Sequence, residues 1–82
     1  MYYVYVIVSD NQRPYVGYTA DLRRRLQEHN DGKNKSTRGR QWKLVYYEAY
    51  KSEKDARIRE RKLKQDGRSR RFLYERIQNS FE

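Results

Sequence analysis

No cysteine occurs among the 82 residues. Disulfides, zinc–thiolate centres and cysteine nucleophiles are therefore excluded, and the chain must hold itself together by packing alone. Long apolar runs are missing too. Nothing approaches the roughly 18 consecutive apolar residues of a spanning helix. The opening MYYVYVIV lacks the basic start and small-residue cleavage site of a secretory leader. These absences lead us to expect a cytoplasmic protein with no membrane contact. Hydrophobic residues make up only 35% of the chain, and a domain of this size buries only about 60% of its unfolded surface. One core, and one domain over residues 1–82, is the expectation. No repeat, linker or low-complexity stretch interrupts it.

Acidic side chains are in short supply, 11 against 20 Lys and Arg, for a net charge of +9. The excess is not evenly spread. Residues 21–40 and 61–82 each hold seven basic and three acidic side chains, whereas 1–20 hold one of each and 41–60 five against four. Positive charge gathered in two segments beyond a neutral apolar start is the footprint of a polyanion binder. Nucleic acid is favoured over a membrane because no long basic amphipathic segment is present.

Tyr2–Val8 and Tyr15–Thr19 are runs of β-formers separated by Ser9-Asp10-Asn11-Gln12-Arg13-Pro14, so an antiparallel hairpin is predicted. Alternation puts Val4, Val6 and Val8 on one face, the expected core, and Tyr3, Tyr5 and Ile7 on the other. Tyr15 and Gly17 alternate with Val16 and Tyr18. A helix capped by Thr19 or Asp21 should run to about Asn30 and stop at Gly32. Its apolar stripe is Leu22 and Leu26, with Arg25 and His29 at the stripe's edge. Residues 31–41 lack apolar periodicity and carry Lys33, Lys35, Arg38 and Arg40, which predicts an exposed, mobile loop that contacts phosphates. Trp42–Tyr50 reads as a third strand. Ser52 and Asp55 resemble a capping box opening a helix to Gly67, and Ser69 is the expected cap of a last helix with Leu73, Ile77 and Phe81 at i, i+4, i+8.

In the penultimate helix Ala56 and Leu63 share a face, and Glu60 lies between them. A carboxylate there demands a hydrogen bond, an ion pair or a metal. With Tyr3, Tyr5, Tyr15, Arg25 and His29 it suits phosphodiester hydrolysis, which needs a base, a fixed cation for developing phosphoryl charge and commonly a divalent metal. Taken singly, each residue has a plainer reading. The tyrosines fit cross-strand packing, Arg25 a surface arginine, His29 a satisfied buried histidine, and Glu60 a salt bridge to Arg25 or Arg59.

Tyr3-Val4-Tyr5, Tyr15-Val16-Gly17, Arg25, His29 and Glu60, in that order and spacing, resemble the GIY-YIG nuclease superfamily. The small stand-alone GIY-YIG proteins share in particular Tyr15-Val16-Gly17-Tyr18-Thr19, Asp21-Leu22, Arg25-Leu26, Glu28-His29-Asn30, Gly32 and Thr37-Arg38-Gly39-Arg40. UvrC and Slx-type nuclease domains are more distant. The resemblance implies an α+β fold, a small three-stranded antiparallel sheet flanked by helices in the order β-β-α-β-α-α. It also implies one-metal cleavage of nucleic acid, DNA in the first place, in repair or recombination. By the same resemblance Tyr5 or Tyr15 helps activate water, Arg25 stabilises the transition state, Glu60 binds Mg²⁺ or Mn²⁺, and His29 is a further active-site residue. Tyr3 replaces the glycine of the first motif, and Thr37 is the nearest polar substitute for a second histidine. A noncatalytic DNA- or RNA-binding module, or a subunit that depends on a protein partner for its specificity, are the alternatives.

Overall fold

The first β-forming run becomes β1 (Tyr2–Ser9) and the second β2 (Pro14–Thr19) in the computed structural model, which describes all residues 1–82. Ser9 Oγ accepts from the Arg13 N–H at 3.1 Å and closes the turn between them. There follow α1 (Leu22–Asn30), β3 (Trp42–Tyr50), α2 (Glu53–Gln65), α3 (Gly67–Arg76) and a single 3₁₀ turn, Gln78–Phe81. The sheet is antiparallel throughout in the order β2-β1-β3, the α+β arrangement expected.

As the central strand, β1 is covered on both faces. Val4 and Val6 pack with Val16, Ala56, Leu63 and Leu73 under α2 and α3. The tyrosine face is also buried over Tyr5 and Ile7, which with Trp42 form a second cluster closed by Tyr15, Leu22 and Leu26 from β2 and α1. Burial on two faces explains why β1 reads as a continuous apolar run. Opposite Val6 and Ile7 a bulge inserts Val45 into β3. The extra residue re-phases the strand, so Trp42 and Tyr47 reach the same face although five positions separate them.

Two helix boundaries differ from expectation. α2 ends at Gln65, and Asp66 rather than Ser69 caps α3, its carboxylate accepting from the Arg68 N–H at 3.1 Å and from Ser69 Oγ at 2.9 Å. Ser69 is thus a donor to the cap. The Leu73, Ile77, Phe81 repeat is divided, because α3 stops at Arg76 and Phe81 returns to the core through the 3₁₀ turn. At α1 the expected caps divide the work. Asp21 accepts from the Arg24 N–H at 3.1 Å, and Thr19 Oγ1 accepts from the Asp21 N–H at 3.0 Å.

The segment between α1 and β3 is not uniformly exposed. Thr37 is buried, its carbonyl accepts from the Trp42 indole at 2.9 Å, and Asn30 bonds the Trp42 backbone on both sides, at 3.0 and 2.6 Å. The basic side chains project from a turn pinned at its middle. No helix is long and apolar enough to cross a membrane.

Candidate active site

Gly17 and Tyr5 are cross-strand partners. A Cβ at position 17 would collide with the Tyr5 hydroxyl and lie 2.9 Å from its Cε1, so the glycine is what lets the phenol lie across β2. Only there does the hydroxyl reach His29 Nε2, at 2.7 Å. His29 is fully buried and is held from the other side by Thr37 Oγ1, 2.8 Å from Nδ1. Thr37 Oγ1 in turn donates to the Asn34 carbonyl at 3.4 Å. That carbonyl only accepts, so while Thr37 keeps its bond to Asn34 the chain runs in one direction. Tyr5 O–H donates to Nε2, Nδ1–H donates to Thr37, and the Thr37 hydroxyl donates to Asn34.

Tyr15 and Trp42 flank the imidazole, with ring centroids at 5.3 and 6.4 Å. Burial, then the Arg25 guanidinium, hold the His29 pKa down to about 4, which leaves a neutral ring at pH 7. Burial likewise pushes the Tyr5 phenol up to about 12, against the pull of Arg25. Arg25 lies one turn before His29, partly exposed, with an Nη1 bond to Glu28 at 3.0 Å.

Glu60 is not in the middle of a buried stripe. Ala56 and Leu63 are fully buried, but the Glu60 side chain turns to the rim at 22% exposure and pairs with Lys64 at 3.2 Å. The salt bridge expected to Arg25 or Arg59 is absent, because Arg59 is engaged by Glu48 at 2.9 Å and Arg25 by Glu28. The Glu60 carboxylate still belongs to this neighbourhood, being among the charges that raise the Tyr5 pKa. The Lys64 ammonium sits 5.2 Å from the Tyr15 ring centroid and is among those that lower His29.

Tyr5, Tyr15, Arg25, His29, Glu60, Gly17 and Thr37 are therefore gathered, whereas Tyr3 turns away and packs edge-on against Tyr47 at 5.8 Å. Lys33, Lys35, Arg38 and Arg40 are carried on the α1–β3 turn, Lys33 and Lys35 flanking Asn34 and the two arginines following Thr37. Sequence reasoning overlooked Lys64 and the role of Trp42. Lys64 was findable, since it follows Glu60 by one helical turn; Trp42 reaches His29 only through tertiary packing.

No group of three or more His, Cys, Asp or Glu side chains stands ready to hold a metal. Glu60 is the carboxylate that could bind one. A lone, partly exposed carboxylate suits magnesium or manganese, which share their coordination with substrate oxygens and water.

Compared with known proteins, residues 1–75 match the family model described as the GIY-YIG catalytic domain. A UPF0213 protein of Streptococcus agalactiae is 42% identical over 74 residues, covering 88% of this chain and 84% of its own. A UPF0213 protein of Halobacterium salinarum is 41% identical over 73 residues, covering 87% and 95%. The solution structure of the UPF0213 protein BH0048 from Bacillus halodurans superposes with a TM-score of 0.54 at 33% identity, covering 89% of this chain and 83% of that one.

Proposed function

The chain belongs to the GIY-YIG family, and from that premise we propose that it is a divalent-metal-dependent endonuclease acting on nucleic acid, DNA in the first place, within repair or recombination. The observation that carries the reading is the buried Tyr5–His29–Thr37 chain of hydrogen bonds beside Arg25 and Glu60. A phenol with its pKa near 12 is no base by itself. Hydrogen-bonded to a neutral imidazole, it can take a proton from water while passing its own to Nε2. Arg25 and Lys64 oppose a charged imidazolium in the free protein. An incoming phosphate offsets part of that positive potential, so the relay strengthens when substrate is present. Arg25, fixed one turn away, faces the charge that develops on the phosphoryl oxygens.

Glu60 is the residue that would hold Mg²⁺ or Mn²⁺, which when bound supplies Lewis-acid stabilisation of the phosphoryl group. The Lys64 ammonium must leave that carboxylate for this to happen, and a phosphate oxygen is its natural next partner. Tyr15, with its ring against His29 and its edge in a groove shared with Ser36, Lys64 and Arg70, serves to wall the site.

The test is a cleavage panel of single-stranded, duplex, flap and branched DNA and the matching RNA, with Mg²⁺ or Mn²⁺. Arg25→Ala should lower kcat by roughly 10²–10³ with a smaller change in KM, as expected for an interaction made chiefly in the transition state. Glu60→Gln should abolish the metal-dependent cutting. Cutting that survives Glu60→Gln unchanged removes the metal role, and salt-sensitive binding without any cutting leaves a noncatalytic binding module.

A further inference from the structure

α1 covers only part of its face of the sheet. Leu22 and Leu26 close over Tyr5, Ile7 and Trp42, and the Tyr5 ring leans away over Gly17 of β2. What remains open lies across β1 and β3, where Tyr47 is the register partner of Tyr5 and Ala49 that of Tyr3. Tyr47 is 53% exposed and its ring meets Tyr3 edge-on, at 5.8 Å and 73°. Ala49, on the same face, is too small to cover either ring. Two other tyrosines of β3, Tyr46 and Tyr50, are tied by their hydroxyls to Glu48 on the opposite face. No sheet residue on the Tyr47 side carries a carboxylate.

We propose that Tyr47, braced by Tyr3, is a stacking platform for an unpaired nucleobase of the strand whose phosphate lies at Arg25 and Tyr5. Cross-strand aromatic packing alone would bury the ring, and more than half of Tyr47 remains open to solvent. An exposed aromatic ring gains most from a flat π-face of similar size. In a duplex those faces are already stacked on one another, so only a base outside the helix can supply one. The net charge of +9 attracts an anionic strand to the protein whatever its sequence, while stacking selects for strands with free bases. The platform adjoins the candidate site through the Tyr5–Tyr47 pairing, so one strand can occupy both. This assignment rests on the nucleic-acid reading above, and its test is read without metal and without cleavage.

Binding is measured in EDTA by anisotropy, with one labelled sequence presented as a single strand and as a duplex, and by the fluorescence of 2-aminopurine placed in the single strand. Tyr47→Ala should weaken single-strand binding by roughly 5- to 150-fold, the range for removing one base–aromatic stack, leave duplex affinity unchanged and remove the quenching of 2-aminopurine. Tyr47→Phe should keep all three, since the face and not the hydroxyl does the work. Equal weakening for both substrates, no weakening, or no binding of single strands by the wild type would overturn the platform. Self-association that disappears in Tyr47→Ala at constant oligonucleotide affinity would assign the patch to a second copy instead. Wild-type stacking without metal-dependent cutting would sink the nuclease reading alone.

Discussion

His29 joins Tyr5 to Thr37 at the centre of the site, and its buried neutrality makes it a pH-sensitive element of the fold. An unfolded chain takes up a proton at the imidazole below its ordinary value of 6.5, whereas the folded chain resists until about 4. The folded pKa is the lower one. Stability from this residue is therefore complete above 6.5, falls as pH drops from 6.5 to about 4, and levels below that. The full swing is on the order of 3 kcal/mol. Glu48 and Asp66 also have lowered pKa values, but starting from 4.5 and 3.8, so their losses come at more acid pH. Urea unfolding of the wild type and of His29→Gln, repeated from pH 7 down to pH 5, above the range where the carboxylates titrate, should show a falling midpoint only for the wild type. Parallel curves would mean that His29 is not held neutral. The sequence placed this histidine on the right helix edge without separating it from a plain core histidine. Its enclosure by Tyr15, Trp42 and Thr37 joins residues from three separate segments, which no periodicity within α1 encodes.

At the scale of elements, strands and helices were legible wherever a local rule acted alone. The β-formers of β1 to β3, the Asp21 cap and the Ser52 cap over Asp55 fall in this class. Illegible features arise where two rules compete. Ser69 looked like a cap because serine favours that position, yet Asp66 can close the end of α2 and open α3 with one residue, its N–H on Lys62 O at 2.9 Å and its carboxylate on the first turn of α3. Thr37 lies in a polar stretch with nothing apolar to mark burial, and only the Trp42 indole and His29 draw it inward. Glu60 followed its helical phase correctly but escaped the interior, since a long side chain at the edge of a stripe can reach solvent and Lys64. The double duty of Asp66 has a measurable consequence. Asp66→Ala, which removes the cap itself, should lower the melting temperature measurably, while Ser69→Ala, which removes only a donor to that cap, should lower it by less. Thermal unfolding of both variants decides it, and a larger loss in Ser69→Ala would reverse the assignment.

Across the whole molecule, charge is sorted by what the fold does with it. Arg24, Arg25, Arg57, Arg59, Lys64 and Arg71 are matched to carboxylates, and of these Arg25 and Lys64 border the candidate site. Lys33, Lys35, Arg38 and Arg40 have no carboxylate partner, and they project from the turn whose centre, Thr37, supports His29. A cation of this kind adds affinity by releasing counterions from phosphate without entering the chemistry. Binding and catalysis should therefore separate along the chain. Replacing the four turn cations by Gln should flatten the dependence of log affinity on log salt, by about 0.7 for each phosphate no longer neutralised on single strands and about 0.9 on duplex, with kcat at saturating substrate unchanged. Arg25→Ala should do the reverse, lowering kcat while the slope shifts by the value of one phosphate at most. Affinity titrations over a salt series, paired with single-turnover rates, read both quantities on the same preparations. A fall in kcat for the turn variant with Thr37 left in place would show that the turn positions the reacting phosphate as well as holding the strand.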